Sequence, residues 1–361
     1  MLFSLIEQLK KVKDFRRNQG KRHPLHLVLL IMILGIMQGN VSYKELKNFV
    51  KQNEQSLIKE LKIVKKRLPS YATIRRIIMG VDWKSLLKVF QEWAKEIYPK
   101  TSELDCLAID GKSIRSTLKN SQNPEQNFVI IVSLFSQVTG LVIDLKRIES
   151  KKGSEITAAQ DIVRIFDQEN KVFTLDALHC NQQLTEAIIE GKNDYLIAVK
   201  KNNINLYKRI EEVTKRKKYL STNKTYEKSH GREIIRRVSV FNKNSIEHKS
   251  CKNLKSIIKV ERGGFRDSHF SKQVVYYVSS LSRSAKIMAE QIRGHWGIEN
   301  KLHWVKDVIF QEDKMAITDF QAATNFSILT TIAMNFFRIL GFFSIKEGQD
   351  WLGNKWKKLL I

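Results

Sequence analysis

The spacing of hydrophobic residues predicts helices throughout residues 1–100. The run LFSLIEQLKKV has apolar residues at helical spacing, Pro24 can open the next helix, and YKELKNFVKQNEQSLIKELKIV continues the period. After Pro69, the short helix SYATIRRIIMGV carries Arg75 and Arg76 side by side. Two interpretations stay open here: a recognition helix that enters a major groove, or a small helical domain whose arginines face solvent.

From residue 104 the pattern changes to alternating strands and helices. LDCLAID, FVIIVSLFS and GLVIDLKRIE predict three strands, followed by the amphipathic helix EITAAQDIVRIF, the strand KVFTLD, the helix CNQQLTEAIIEG and the strand DYLIAVK. This order is typical of a ribonuclease-H-like α/β fold, in which the first and fourth strands are neighbours. Asp110 and Asp176, which close those two strands, are therefore expected to lie close together. No GxGxxG follows the first strand, which disfavours a dinucleotide-binding fold.

Residues 203–282 interrupt this core. They begin with a basic helix that ends in TKRKKY, and continue with the β-rich runs IIRRVSVF, SIIKVERGGF and KQVVYYVSSL. A mostly β insertion explains why Asp176 and the next candidate acid, Glu299, are 123 positions apart. Its basic side chains either touch DNA or face solvent: Lys215–Lys218, Arg232, Arg236 and Arg237. The predicted organisation is a helical part (1–100), the first part of an α/β core (101–202), the insertion (203–282) and the completion of the core (283–361).

The segment RGHWGIENKLHWVKDVIF predicts a helix that carries Glu299. At regular α-helical spacing His295, Glu299, His303 and Lys306 share one face. A transition-metal site made by His295, Glu299 and His303 is one alternative. Glu312 and Asp313 are alternatives to Glu299 as the third acid, but they lie beyond this face. The apolar segment NFSILTTIAMNFFRILGFF further on predicts a core helix, with a dimer contact as the alternative.

Asp110, Asp176 and Glu299 could together hold two divalent cations for phosphoryl transfer. Carboxylate oxygens are hard ligands, so magnesium, or manganese in its place, suits them better than a soft metal. Without cations, clustered carboxylates repel one another, which raises their pKa values.

The charge balance favours a polyanionic partner. Lys and Arg number 63 against 37 Asp and Glu, a formal net charge of +26 over 361 residues. Cys106, Cys180 and Cys251 show no CxxC pairing, which disfavours a zinc knuckle or a disulfide scaffold and fits a reducing cytoplasm. The apolar run Leu25–Met37 is too short to span a bilayer and no small-residue cleavage site follows it, so a buried helix is expected and a membrane partner is not.

Six motifs, in this order, give the chain a resemblance to a known family: RRNQGKRHPL, LAIDGKSIR, TLDALHCN, DYLIAVKKN, KSHGREIIRR and HWGIENKLHWVKDVIFQED. The chain resembles DDE transposases of bacterial insertion sequences, in the branch of the H-repeat-associated (ISAs-type) proteins. The resemblance implies a helical N-terminal domain, a ribonuclease-H-like core and a β-rich insertion before the catalytic glutamate. It also implies magnesium-dependent cleavage at element ends and joining to target DNA.

Carried over by position, the resemblance makes Asp110, Asp176 and Glu299 the catalytic, metal-binding acids. Lys306 keeps the lysine found seven positions after the glutamate in related transposases, whereas Ile292 and His295 stand where those proteins have tyrosine and arginine. The residues expected to contact DNA are Lys306, Arg293, His295, Lys112, Arg115, Arg75, Arg76, Arg232 and Arg236.

The expected partner is therefore DNA, both terminal repeats and target, bound by a homodimer at the nucleoid in the cytoplasm. Two alternatives remain open from the sequence. One is a ribonuclease-H-like nuclease that hydrolyses DNA without joining strands. The other is an inactive transposase relic that only binds DNA.

Overall fold

The computed structural model describes residues 2–64, 67–100, 104–118, 126–229, 232–243, 246–266 and 269–359. The first hundred residues are helical, as the hydrophobic spacing predicted. Capping side chains start several helices; for example, the Asp82 carboxylate accepts hydrogen bonds from the Lys84 and Ser85 N–H groups. The helices are α1 (Leu2–Lys10), α2 (Leu25–Met37), α3 (Tyr43–Gln52), α4 (Glu54–Glu60), α5 (Tyr71–Gly80) and α6 (Trp83–Ile97).

The helix α2 lies in the middle of the helical region. Eleven of its 13 residues are buried, and Gly35 lets Leu46 and Phe49 of α3 approach its backbone closely. Within the described ranges, the stretch Asn18–Met37 is the one long and apolar enough to cross a bilayer, yet 61% of that window is buried inside the protein. Burial on this scale agrees with the core helix that the sequence predicted.

The α/β core has the predicted ribonuclease-H-like order. Strands β1 and β4 run parallel, with Leu107 opposite Phe173, and β4 runs parallel to β5. The strand order is β3-β2-β1-β4-β5, with β2 antiparallel to both its neighbours. The elements are β1 (Cys106–Ser113), β2 (Val129–Ser136), β3 (Val142–Glu149), α7 (Glu155–Ile165), β4 (Val172–Leu175), α8 (Gln182–Glu190) and β5 (Asp194–Val199).

The insertion is mostly β, as expected, and it extends the core sheet. Its last strand pairs antiparallel with β5, with Tyr277 opposite Ala198, so that one nine-stranded sheet results. Three antiparallel hairpin pairings hold the outer four strands together. The insertion contains α9 (Ile204–Arg216), β6 (Ser221–Ser229), β7 (Arg232–Asn242), β8 (Ser256–Arg266) and β9 (His269–Ser279).

The chain then returns to the core as α10 (Ala285–Ile298), one turn of π-helix (Glu299–His303) and α11 (Trp304–Val308). The long helix α12 (Phe320–Ile339) follows, and then α13 (Ile345–Leu352). α12 is buried along almost its whole length, between the N-terminal helices α2, α5 and α6 and the edge strand β3. The predicted core helix is thus present, and it joins the helical region to the sheet.

Asn335 of α12 closes the free edge of the sheet. Its side-chain oxygen accepts a hydrogen bond from Val142 N–H at 2.9 Å, and its side-chain NH₂ donates to Val142 C=O at 2.8 Å. These two backbone groups lie on the side of β3 that has no neighbouring strand. A fully buried amide therefore satisfies the backbone groups of β3 that another strand would otherwise satisfy.

We expect Asn335→Ala to lower the free energy of unfolding by about 2–4 kcal/mol, because it leaves one buried donor and one buried acceptor without a partner. Urea denaturation measures this. Thr330→Val is the matched control, since Thr330 lies on the same helix, equally buried, with a hydroxyl that has no hydrogen-bond partner among the described residues. Equal losses in both variants would show that Asn335 does not close the edge.

Candidate active site

Two of the predicted acids lie at neighbouring strands of the core. Asp110 is half-buried within β1, and Asp176 directly follows the last residue of β4. Asp176 starts a short 3-10 turn by accepting a hydrogen bond from Leu178 N–H at 3.0 Å. His179, in that turn, is 1% exposed and its Nε2 lies 3.8 Å from Asp176 Oδ1, so it packs beneath the acid. The parallel pairing of β1 and β4 therefore brings the two carboxylates to one edge.

Glu299 is among the carboxylates that act on the pKa of Asp110. Burial is the main cause that raises the pKa of Asp110 to about 7; the neighbouring carboxylates of Asp176, Glu155 and Glu299 act in the same direction, and a hydrogen bond from Gly111 N–H opposes them. Glu299 itself is exposed. Acids that are far apart in the chain thus act on one carboxyl group.

Two histidines fix the helical segment of Glu299 over the sheet. His295 Nδ1 shares a 3.0 Å hydrogen bond with the Thr174 hydroxyl on β4, and His303 Nδ1 lies 3.5 Å from Asp110 Oδ2. Burial lowers the pKa of His295 to about 4 and that of His303 to about 3, so both are neutral at pH 7. They hold the segment by hydrogen bonding and packing, with Glu299 between the two attachment points.

The predicted single face of His295, Glu299, His303 and Lys306 is wrong. The turn Glu299–His303 is π-helical, so one extra residue is accommodated and every later side chain rotates relative to an α-helix. Glu299 consequently faces solvent, whereas Lys306 is 2% exposed. Such single π-turns often occur at functional sites, because they re-aim side chains within a helix.

Lys306 and Lys112 lie inside the protein, which corrects the expectation that they bind phosphates. Lys306 Nζ donates to the Ser327 hydroxyl at 2.9 Å and lies 3.7 Å from Glu312 Oε1. Lys112, two residues after Asp110, has a side chain that is 10% exposed and ion pairs to three carboxylates. Those pairs measure 2.7 Å to Asp307, 3.1 Å to Asp313 and 3.2 Å to Glu312.

Glu312, the rival to Glu299, belongs to this buried ion cluster, which consists of Lys112, Lys306, Asp307, Glu312 and Asp313. Burial would raise the pKa of Glu312, but the two lysines outweigh it and hold that pKa below its usual range. At 3% exposure, with its oxygens directed to lysines, Glu312 has a structural position. Glu312 is therefore paired with lysines inside the protein, whereas Glu299 is exposed, and the choice of Glu299 as the site acid stays a prediction.

The other predicted DNA contacts are distributed over the surface. Arg75 and Arg76 are both exposed on α5. Arg115 is 74% exposed and lies 3.4 Å from Asp313. Glu227 on β6 pairs with Arg293 at 2.7 Å and with Arg236 at 3.4 Å, and so ties the insertion to α10. His295 is turned to Thr174 on the sheet, which does not fit a DNA contact. The side chain of Arg232 lies outside the described residues.

The donor set of the site fits hard divalent cations by its chemistry. Asp176, Glu155 and Glu299 all act on the pKa of Asp110, and carboxylate oxygens are hard ligands. Across the described ranges, no three His, Cys, Asp or Glu side chains are gathered closely enough to enclose a metal ion. This also applies to the alternative transition-metal set, since His295 and His303 are directed to Thr174 and Asp110.

Glu155 is the site residue that sequence reasoning missed. It is the first residue of α7, after the Ser154 cap, and it is half-buried beside Asp110 and Asp176. One signal was present in the sequence: an acid at the start of the helix that follows the third strand, where the helix crosses back over the sheet. That position brings its side chain to the same edge as Asp110.

The ribonuclease-H-like core carries the candidate acids Asp110, Asp176 and Glu299, an arrangement that suits chemistry on polynucleotides. The comparison with protein families then identifies the family. The model described as "Transposase DDE domain" matches residues 101–336, and the model of its associated N-terminal domain matches residues 6–94. The chain therefore belongs to the DDE transposase family, and its general function is DNA transposition.

Relatives agree with this family, and one solved structure has a similar fold. "H repeat-associated putative transposase YhhI" of Escherichia coli K12 is 30% identical, over 92% of this chain and 90% of its own length. "Putative protein YbfL" of the same strain is 31% identical, over 92% and 90%. The piggyBac transposase in its synaptic complex with hairpin DNA has a similar fold, with a TM-score of 0.52 and 11% identity, over 97% of this chain and 75% of that one. The resemblance to the H-repeat-associated branch is confirmed.

Proposed function

We propose that this transposase cleaves the ends of its insertion sequence and joins them to target DNA by two-metal-ion phosphoryl transfer. The observation that carries the proposal is the convergence of Asp176 and Glu299 on Asp110. These acids come from two parallel strands and from a helix that follows an insertion of about eighty residues. Neighbouring carboxylates repel one another, which does not stabilise the fold. The chain has 63 Lys and Arg that could pair with acids. The proposed function explains why these carboxylates nevertheless lie together.

The chain's own residues prepare the site in three ways. Asp110, Asp176 and Glu299 supply the oxygen ligands for Mg²⁺ or Mn²⁺. His303 contacts Asp110, and His295 attaches α10 to β4, so the helix presents Glu299 over the strand ends. Bound divalent cations would stabilise the charge on the attacking and leaving oxygens of the phosphodiester. We further propose that the protein acts at the nucleoid as a homodimer on DNA, with one copy at each element end.

An assay with the full chain tests the proposed chemistry. A labelled DNA with the element's terminal repeats, a target plasmid and Mg²⁺ or Mn²⁺ should give 3′-hydroxyl ends and then joined products. Asp176→Asn and Glu299→Gln should abolish the cleaved ends and the joined products. Glu290→Gln, which changes an exposed acid on α10, should leave cleavage and joining unchanged. Cleavage without joined products would favour the nuclease alternative, and DNA binding without cleavage would favour the relic.

Arg75 and Arg76 provide a separate test of the DNA interface. Replacing both with alanine should weaken binding and flatten the dependence of log K on log salt concentration, by about 0.9 for each phosphate that the variant no longer neutralises. Fluorescence anisotropy at several salt concentrations measures this slope. Arg164→Ala, an exposed arginine on α7, serves as the control. An unchanged slope in the double variant would place α5 outside the DNA interface and favour the solvated helical domain.

A further inference from the structure

Gln137, in the turn that follows β2, connects the sheet to α10. Its side-chain NH₂ donates a hydrogen bond to the Thr174 hydroxyl on β4 at 2.9 Å, and that hydroxyl shares a 3.0 Å hydrogen bond with His295 Nδ1 on α10. The backbone N–H of Gln137 donates to the C=O of Cys106 at 2.9 Å, which fixes the residue to the start of β1. A chain of hydrogen bonds therefore runs from the turn after β2, across β4, to the helix that precedes Glu299.

Gly294 leaves room for the Gln137 side chain on α10. A Cβ atom added to Gly294 would overlap Gln137 Oε1 and would lie 2.8 Å from its Cδ. Glycine inside a helix costs about 1 kcal/mol relative to alanine, and the close approach of the amide gives a reason for it here. Gly297 differs, because a Cβ atom there would lie 3.7 Å from Phe135 Cε1, which is an ordinary contact. Of these two glycines, Gly294 is the one that the Gln137 contact requires.

The helical segment that carries Glu299 advances along the strands towards the candidate acids. His295 meets Thr174, and Thr174 lies opposite Ala108 of β1, two residues before Asp110. Eight residues after His295, His303 Nδ1 lies 3.5 Å from Asp110 Oδ2. The contact between His295 and Thr174 thus fixes where α10 stands along β4, just before the segment reaches the acids.

The position of α10 along β4 determines where Glu299 lies. Glu299 is four residues after His295, a rise of about 6 Å in a helix. Asp176 is two residues after Thr174, about 6.6 Å in a strand. With His295 at Thr174, Glu299 therefore comes level with Asp176. A slip of α10 by one residue would move the carboxylate by about 1.5 Å, and a misplacement of about 1 Å can lower a catalytic rate by about 100-fold.

We propose that Gln137 is a positioning residue of the active site, which sets the position of α10 along β4, and with it that of Glu299. The inference rests on the proposed function, since it concerns the acid that would act there. Thr174 is 1% exposed, and hydrogen bonds shielded from water in this way are stronger than exposed ones. Gln137 acts on the reaction through α10 and not through contact with the phosphodiester.

Single-turnover cleavage of labelled terminal-repeat DNA by the full chain, with Mg²⁺ or Mn²⁺, tests this inference. Gln137→Ala should lower the cleavage rate by about 10- to 100-fold, because α10 loses its attachment to the turn after β2. The Kd for the same DNA, measured by fluorescence anisotropy, should stay unchanged. A wild-type cleavage rate in Gln137→Ala overturns the inference.

Gly294→Ala is an independent variant that removes the same contact. Its methyl group should push the flexible end of Gln137 aside and slow cleavage to the same extent. Gly297→Ala is the matched control, since it makes the same change on the same helix at an ordinary contact, and it should cleave at the wild-type rate. The double variant Gln137→Ala, Gly294→Ala should be no slower than the slower single variant. Rate losses that multiply would mean two separate effects, and the inference would fail.

Two substitutions of Thr174 separate the hydrogen bonds from packing. Thr174→Ser keeps the hydroxyl and should cleave at close to the wild-type rate. Thr174→Val keeps the shape of the side chain without the hydroxyl, and it should be as slow as Gln137→Ala. Circular dichroism at the assay temperature checks that each variant is folded, so that rates are compared per folded molecule. Equal rates in the two Thr174 variants would show that the hydroxyl does not position α10, and would overturn the inference.

Glu299→Gln in the same assay separates this inference from the proposed function. If Glu299→Gln abolishes cleavage while Gln137→Ala and Gly294→Ala cleave at the wild-type rate, the inference fails and the proposed function stands. If Glu299→Gln cleaves at the wild-type rate, the proposed function fails, and the inference fails with it.

Discussion

Asp110→Asn is expected to abolish DNA cleavage and, in protein freed of divalent cations, to raise stability at pH 8. The loss of activity follows because Asp110 is the carboxylate on which Asp176, Glu155 and Glu299 converge. The gain in stability follows from the same geometry, since a half-buried carboxylate beside three others is unfavourable when ionised. Asparagine keeps the shape of the side chain and removes the charge.

The raised pKa of Asp110 determines whether stability rises or falls with pH. The pKa of Asp110 rises from its usual 3.8 to about 7 in the folded protein, so the folded state holds a proton that the unfolded state has released between those values. Stability therefore falls as pH rises through that window, and it is lowest above pH 7. The variant lacks this group, so its advantage should be absent below pH 4 and reach at most about 4 kcal/mol at pH 8.

Urea denaturation in EDTA at pH 4, 6 and 8 measures the difference. Asp161→Asn, which changes a partly exposed acid on α7, is the control and should show no such trend. Addition of Mn²⁺ should reverse the order at pH 8, because cation binding stabilises only the protein that retains Asp110. Equal stability of wild type and Asp110→Asn at every pH would mean that burial and the neighbouring carboxylates do not disfavour the ionised Asp110, and would remove the main support for a shared cation site.

The positions of Asp110 and Asp176 could be predicted from the sequence because the relevant information is local. Each ends or follows an apolar run long enough for a buried strand, and the order of strands and helices makes the first and fourth strands neighbours. The pairing of Leu107 with Phe173 confirms that arrangement. The helical region and the buried helix α12 were predictable for the same reason, since their hydrophobic spacing is sustained over many residues.

The environment of Lys306 could not be predicted in this way. A helical wheel assumes 3.6 residues per turn, and the π-turn that begins at Glu299 changes the direction of all later side chains. No residue type in that segment signals a π-turn by itself. Local sequence patterns also cannot predict the partners of Lys112, because Asp307, Glu312 and Asp313 lie about 200 positions further along the chain.

The ion cluster gives the second large prediction. Glu312→Ala should lower the free energy of unfolding by about 3–5 kcal/mol, because it leaves the fully buried ammonium of Lys306 with Ser327 as its remaining partner. Lys306→Met should cost less, since Lys112 still pairs with Glu312 at 3.2 Å. Glu290→Ala on the exposed face of α10 should be within about 0.5 kcal/mol of the wild type.

Removing both buried charges should restore much of the stability that one removal takes away. The double variant Lys306→Met, Glu312→Leu replaces the ion pair with apolar side chains of similar size, a change that is often close to neutral. Urea denaturation of the wild type, Lys306→Met, Glu312→Leu and the double variant forms a thermodynamic cycle that measures the coupling. If the two single losses simply add, Lys306 and Glu312 are not coupled and the cluster does not hold α11 in place.

The Lys306→Met variant also tests the role of this lysine, which lies seven positions after Glu299. A lysine that contacts DNA contributes to the salt dependence of binding, whereas one buried against Glu312 does not. Lys306→Met should therefore bind terminal-repeat DNA with an unchanged salt slope, while Arg293→Ala, which removes a side chain that is 65% exposed, should flatten it. A flatter slope for Lys306→Met would mean that this side chain leaves Glu312 and reaches the phosphates when DNA binds. In that case DNA binding would break the contact between Lys306 and Glu312, and Glu312 would hold Lys306 inside the protein only while DNA is absent.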